Sequence, residues 1–332
     1  MSKPEPAEPK KIAYLFGAGA THAELQNIEP DLLKEKTSLL IKDVSSRVIE
    51  AARRNVSYIK DLEMVSGTKG SLNIELLISL IENSKIHGWD KKTQLLKKLV
   101  RDDIEAILTK SRTRRFYLHK ALLEFHKQKL TQKHEKLIGL ISLNYDDILD
   151  QAFRKFFDDP NYCFSLDADA FSSDGIPLLK LHGSFNWSEK SIRGRKRTIE
   201  IIPLGANKDY LHAPYGFIWN RTLEILIECD TLRVIGCSMS TNDVHLIDLL
   251  FKAHLERKKP FEIEIISSDR TAEAIKRDYG FFPKIKKLTE LEPELVPEPD
   301  PPNPFRTWLR HKCLNLLKGQ TAQMKYVKRV TR

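Results

Sequence analysis

Ile12-Ala13-Tyr14-Leu15-Phe16-Gly17-Ala18-Gly19-Ala20-Thr21 is the stretch that decides how this chain is read. An apolar run suited to a buried strand ends abruptly in Gly-Ala-Gly. Two glycines around one alanine allow a tight turn and a close backbone approach to a bound group. A helix starting near Thr21 would aim its free N–H groups at that point, a ready site for a phosphate. The same motif also serves as a plain strand end, so the rest of the chain has to be read with it.

Further strand signals follow in series at Leu140–Leu143, Leu178–Leu181, Ile199–Ile202, Leu232–Ile235 and Ile263–Ile266. Helix-compatible stretches separate them at Ile148–Phe157, Phe217–Ile227, Val244–Leu255 and Thr271–Tyr279. Such alternation predicts an α/β fold with a doubly wound, mostly parallel, Rossmann-like sheet. Between the first two strands, residues 29–136 lack strand pattern and carry apolar residues at helical spacing, among them Leu76, Leu77, Leu80 and Ile81. They predict a large helical insertion, with Asn73 capping one helix, Glu75 in its first turn, and Thr68–Ser71 as a loop.

Outside that domain, assigned to residues 12–290, the ends differ in character. Residues 1–11 are polar and proline-rich and read as a flexible tail, not a signal peptide. Residues 291–304 hold a cluster of prolines and acids and read as a stiff linker. Residues 305–332 read as a short helix and a basic tail, which either packs back on the body or docks on another subunit. That last segment carries eight of the ten excess positive charges, leaving only +2 for the rest of the chain. A nucleic-acid role, if present, is therefore confined to the tail, whose plainer reading is a solvated end or a protein contact. No apolar run reaches the roughly 18–20 residues a membrane helix needs, so no membrane partner and a cytoplasmic location are expected. The four cysteines, Cys163, Cys229, Cys237 and Cys313, stand alone, which predicts no zinc ribbon, no disulfide framework and no metal.

In an open parallel sheet, ligands bind beyond the carboxyl ends of the strands. The residues there are Gly17–Thr21, Asn144–Asp147, His182–Ser184, Pro203–Gly205, Gly236–Ser240 and Ser267–Asp269. Glycine turns suit phosphates, and serine and aspartate suit ribose hydroxyls. An Asn/His pair suits a reacting centre.

With these in order, the chain resembles the Sir2 (sirtuin) superfamily. The motifs that carry the likeness are Gly-Ala-Gly-Ala-Thr at 17–21, Ser-Leu-Asn-Tyr-Asp-Asp at 142–147, Lys-Leu-His-Gly-Ser at 180–184 and Gly-Cys-Ser-Met-Ser at 236–240. They span about Ile12 to Phe282. The Asn-Tyr-Asp form, the Asn73–Leu77 segment and Pro203-Leu204-Gly205 look closer to a bacterial Sir2-like branch associated with NAD depletion in anti-phage defence. Sirtuin deacetylases usually carry a four-cysteine zinc module, which this chain has no cysteine pairs to build. The resemblance thus implies NAD as substrate, and hydrolysis of its nicotinamide–ribose bond rather than lysine deacylation. An NAD-dependent deacylase or ADP-ribosyltransferase, and a non-catalytic NAD or ADP-ribose binding module, are the alternatives.

The roles implied are specific. Gly17, Ala18, Gly19 and Thr21 would line the pyrophosphate and ribose. Asn144 would orient the attacking water, although a polar cap on the next helix suits it too. Asp146 would hold the ribose or the nicotinamide amide, with helix capping an equal reading. His182 would be the general base, since imidazole titrates near neutral pH; its plainer role is a hydrogen-bonded core histidine. Gly236, Ser238 and Asp269 would contact the adenosine half, with an N-cap as the rival role for Asp269. Cys237 reads as packing. A constitutive NADase would kill its host, so regulation is expected, through a homo-oligomer or through the separate ATPase or nuclease-like partner common in that branch.

Overall fold

The computed structural model describes residues 8–28, 38–55, 73–84, 90–112, 116–165, 175–187, 214–241, 243–260, 262–291, 303–317 and 325–331. The strand expected at Ile199–Ile202, the turn Pro203–Gly205, the loop Thr68–Ser71 and most of the proline-rich linker lie outside the described residues.

Six strands form one sheet in the order β3-β2-β1-β4-β5-β6. They are β1 (Lys10–Phe16), β2 (Glu135–Ser142), β3 (Leu178–Lys180), β4 (Thr231–Ile235), β5 (Glu262–Ile266) and β6 (Ile285–Lys287). Every adjacent pair is parallel. The order reverses between β1 and β4, which makes that crevice the topological switch point. β6 is the strand that sequence reading did not anticipate.

Side chains of a strand alternate between faces, and both faces of this sheet are covered. Ala13 and Leu15 of β1 face one core, with Leu232 and Val234 of β4. Covering that side are α8 (Tyr215–Glu228), α9 (Val244–Glu256) and α10 (Asp269–Asp278). Ile12, Tyr14 and Phe16 face the other core, against α5 (Leu118–His126), α7 (Ile148–Phe153) and α12 (Pro304–Leu317). α1 (Ala18–Ile28) leads out of β1, the short α11 (Leu288–Leu291) follows β6, and α13 (Val327–Thr331) lies against α5 and α12.

The expected helical insertion divides in two. Helices α2 (Ile41–Asn55), α3 (Ile74–Ser84) and α4 (Asp90–Arg112) build a core of their own from Val44, Val48, Ile74, Leu77, Ile78, Ile81, Leu96 and Val100. Helix α5 and the short α6 (Lys129–Gln132) belong instead to the body, where Leu118, Leu122 and Leu123 pack on the sheet. The last helix also belongs to the body. Phe305, Trp308, Leu309 and Cys313 of α12 are buried in the same core as β1, so of the two readings of that segment the structure takes packing back. Asn303 anchors its start, donating from Nδ2 to the Ala23 carbonyl at 2.9 Å.

Candidate functional site

The opening turn and the turn after β4 interlock at the switch point. Gly17 N–H donates to Ile235 O (3.0 Å), and Gly19 N–H donates to Gly236 O (2.8 Å). A Cβ on Gly17 would fall 2.6 Å from the Cys237 Cα, and one on Gly19 2.7 Å from the Gly236 carbonyl oxygen. Gly236 itself has φ +57°, and a Cβ there would meet Ala20 N at 2.1 Å. These positions are glycine because the two turns touch backbone to backbone. α1 then begins at Ala18, its amino end facing the crevice where a phosphate is favoured.

The loop after β2 is tied to that turn. Asn144 donates from Nδ2 to Gly17 O and to Thr21 Oγ1, both at 3.0 Å. Thr21 donates onward to Asp146 Oδ2 at 2.7 Å, and the other Asp146 oxygen accepts from Ile148 N–H at 3.1 Å. Asp146 thus caps the turn into α7 and holds Thr21 at the same time. Burial pushes its carboxyl up, opposed by the Lys180 charge and by the Thr21 and Ile148 hydrogen bonds. Lys180 is itself buried, pairing with Asp150 at 3.0 Å and donating to the Asp146 carbonyl.

His182 stands at the end of β3, buried to 1% exposure. Trp219 Nε1 donates to the Leu181 carbonyl at 3.2 Å, fixing the strand end. Ser184 Oγ and Phe185 N–H both donate to the Tyr145 carbonyl, at 3.1 and 2.9 Å, which ties the loops after β2 and β3 together. The imidazole Nε2 lies 3.2 Å from Asp243 Oδ2, and Asp243 is also buried. Its other oxygen caps α9 by accepting from Leu246 N–H at 3.3 Å.

The insertion reaches the same loops. Tyr145 hydroxyl donates to Glu75 Oε1 of α3 at 3.1 Å. Burial, followed by the Glu75 charge and hydrogen bond, holds the phenol well above its ordinary value, so it remains a neutral donor. From α4, Arg101 lies over the Phe185 ring at 5.9 Å and donates to its carbonyl at 3.4 Å.

All of this surrounds one cavity of about 530 Å³, within the usual range for small-molecule sites. Gly17, Ala18, Gly19, Thr21, Asn144, Asp146, His182, Gly236 and Ser238 all line it. Asp269 does not, and it is exposed. The helix expected from Thr271 starts two residues earlier, with Ser268 as its N-cap, accepting from Thr271 N–H at 3.4 Å. Ser267, Ser268 and Thr271 therefore occupy the rim that sequence reading gave to Asp269. Opposite the polar wall, Leu39, Ile41, Val44, Val100 and Ile104 from the insertion close the cavity with apolar side chains, and Phe305 of α12 joins them. Burial pushes the Cys237 thiol up to about 12, which leaves it an inert packing group.

Sequence reading missed Glu75 and Asp243 as site residues. Glu75 registered only as an acid in a first helical turn. Asp243 directly precedes the apolar start of α9, a placement that signals an N-cap and nothing more. Among the described residues, no group of three or more His, Cys, Asp or Glu is placed to hold a metal ion. No described helix is long and apolar enough to cross a membrane.

Residues 139–279 match the family model described as SIR2-like domain. A solved structure described as "Structural Basis for the Mechanism and Regulation of Sir2 Enzymes" is 12% identical, with a TM-score of 0.38 over 94% of each chain. No curated protein matches.

Proposed function

We propose that this chain, whose residues 139–279 match the model of a SIR2-like domain, is an NAD+ hydrolase. The reaction is NAD+ plus water to nicotinamide, ADP-ribose and a proton. The observation that carries the reading is the convergence of both glycine turns, Asn144 and His182 on one cavity at the switch point of the sheet. The interlocked turns and the amino end of α1 suit a pyrophosphate. Ser238, Ser267 and Ser268 suit ribose hydroxyls. Asn144 and His182 then face the nicotinamide ribose.

Loss of nicotinamide leaves an oxocarbenium-like ribose. Water attacks its anomeric carbon, with Asn144 orienting the water and His182 accepting the proton. The apolar wall from the insertion excludes bulk water, so the one water that reacts is the one held by the polar wall. The hydrogen bonds and ion pair of Asp146 and Lys180, Asp146 to Thr21 and Ile148 and Lys180 to Asp150 and the Asp146 carbonyl, assign these two residues to holding Thr21 and the Asn144 loop rather than to proton transfer. We place the activity in an NAD-depleting effector of bacterial anti-phage defence, held off until a trigger or partner protein releases it.

Purified protein mixed with NAD+, with nicotinamide and ADP-ribose followed by chromatography, tests the reading. His182→Ala should reduce nicotinamide release by about 10²–10⁴-fold, the contribution of a general base. A rate equal to wild type in that variant would remove His182 from the mechanism.

A further inference from the structure

We infer that the outward face of α9 is a self-pairing surface, through which two copies of this chain associate as an antiparallel, two-fold dimer. The inference is independent of the proposed reaction. It starts from where exposed apolar side chains gather. Of nine large hydrophobic residues exposed among the described ones, four lie together: Val244, Phe251 and Leu255 of α9, and Phe281 just beyond α10. The opposite face of the helix is committed to the core through Leu246, Leu249, Leu250 and Ala253. Val244, Asp248, Phe251 and Leu255 follow helical spacing, so they form one stripe roughly 16 Å long at 1.5 Å per residue. Phe281 widens it, with its ring edge-on to Phe251 and the centroids 5.4 Å apart. Single exposed apolar residues need no explanation, but a contiguous patch with polar groups in it marks a contact surface. None of these residues lines the cavity.

The order of chemistry along the stripe says what covers it. Between its apolar ends, Val244 and Leu255, stand one acid and one base, Asp248 and Lys252, both exposed and paired with each other at 2.8 Å. Turned end for end, the stripe presents the same properties with the charges exchanged. A two-fold axis crossing α9 level with Leu249 and Leu250 therefore sets Val244 against the partner's Leu255 and Asp248 against the partner's Lys252. Each contact then occurs twice, and Phe251 flanks the axis. A strongly acidic or basic partner would be met by charges of one sign. Here the signs balance, and a second copy of the same helix supplies both complements. The ion pair within each helix is worth little at its exposure, so exchanging it across the axis costs little, while apolar side chains of both copies leave water. One helix stripe is smaller than the roughly 800 Å² per partner of a stable complex, so the dimer is concentration-dependent, with a Kd of about 10–100 µM.

Sedimentation equilibrium of the whole 332-residue chain, over about 1–500 µM, tests the inference. Wild type should pass from monomer to dimer across that range. Asp248→Lys and Lys252→Asp each set like charges together across the axis, and each should raise Kd at least about tenfold. An equimolar mixture of these two variants should form the dimer that neither forms alone, because every crossing pair is then opposite in sign. The doubly exchanged chain, carrying Asp248→Lys with Lys252→Asp, should return to within about threefold of wild type. Phe251→Glu should weaken association by a similar factor as the single charge reversals. All these positions are exposed, so thermal midpoints should stay close to wild type, which separates lost pairing from lost fold. A wild-type chain that stays monomeric throughout would overturn the inference and leave the patch to another protein or to water. The same Kd in every variant would overturn it too, placing self-association on another surface. A mixture of the two single variants that remains monomeric would remove the charge pairing on which it stands.

Discussion

Gly236 is the residue on which the crevice closes most tightly. It carries φ +57°, a conformation that costs an L-residue about 1–2 kcal/mol, and a Cβ would sit 2.1 Å from the Ala20 nitrogen. Backbone cannot step aside there without parting the two turns. Gly236→Ala should therefore lower the thermal midpoint and weaken ADP-ribose binding together, which differential scanning calorimetry and titration calorimetry would read on the same sample. A variant with wild-type affinity would mean that the turn does not touch the ligand. At this scale the sequence was legible where chemistry and chain position coincide. Gly17, Asn144, His182 and Gly236 stand one or two residues beyond strand ends, so a rule about strand ends finds them. Glu75 and Asp243 follow no strand. Each reaches the site through a partner far away in sequence, Tyr145 or His182, and no local pattern encodes a meeting between two loops.

Among the elements, strands β1 to β5 were readable because each is a short apolar run ending in glycine or polar residues. β6 was not. It is Ile-Lys-Lys at the sheet edge, with no apolar alternation, and its lysines are what an edge strand carries to discourage further pairing. The division of the helical insertion was also hidden, since α5 and α3 have the same amphipathic spacing and differ only in what they face. Helix α12 makes the point energetically. Charge and a proline-rich approach make it look detachable, yet Trp308 is fully buried beside Tyr14, with ring centroids 6.4 Å apart. Trp308→Ala should cost about 3–5 kcal/mol, as large-to-small changes of buried aromatics do. Urea denaturation would show this as a lower midpoint with little change in slope. A cost near zero would mean that α12 docks reversibly, and the segment would again be open as a regulatory handle.

One buried polar network ties these elements into a single stability unit. Arg233 of β4 makes a two-pronged pair with Glu135 of β2, both contacts at 2.7 Å, and reaches Glu264 of β5 at 2.7 Å. It also donates to the Tyr14 hydroxyl of β1 at 2.9 Å, and lies 5.4 Å from the Trp308 ring centre. Since Tyr14 accepts from arginine, its own proton goes to His126 Nε2, 2.7 Å away on α5. The chain from Arg233 through Tyr14 to His126 thus requires a neutral imidazole. Burial holds His126 down at about 3, with Glu135 opposing and Arg233 adding to the effect. The sign of the linkage follows. The unfolded histidine binds a proton near 6.5 and the folded one only near 3, so the contribution to stability is whole above about pH 6.5 and drains away as pH falls toward 3. Glu135 adds to this at lower pH. Burial raises it, but the hydrogen bonds and charge of Arg233 outweigh that and hold it at about 2, so its share is lost between about 4.5 and 2. Each group costs about 1.4 kcal/mol per pH unit inside its window. His126→Gln keeps an acceptor for Tyr14 and removes the titration. Between pH 6.5 and 5, unfolding free energies from urea melts should therefore fall by about 2 kcal/mol more in wild type than in this variant. Equal losses in the two proteins would place a proton donor other than Tyr14 beside His126 and dissolve the chain of donors inferred from Arg233.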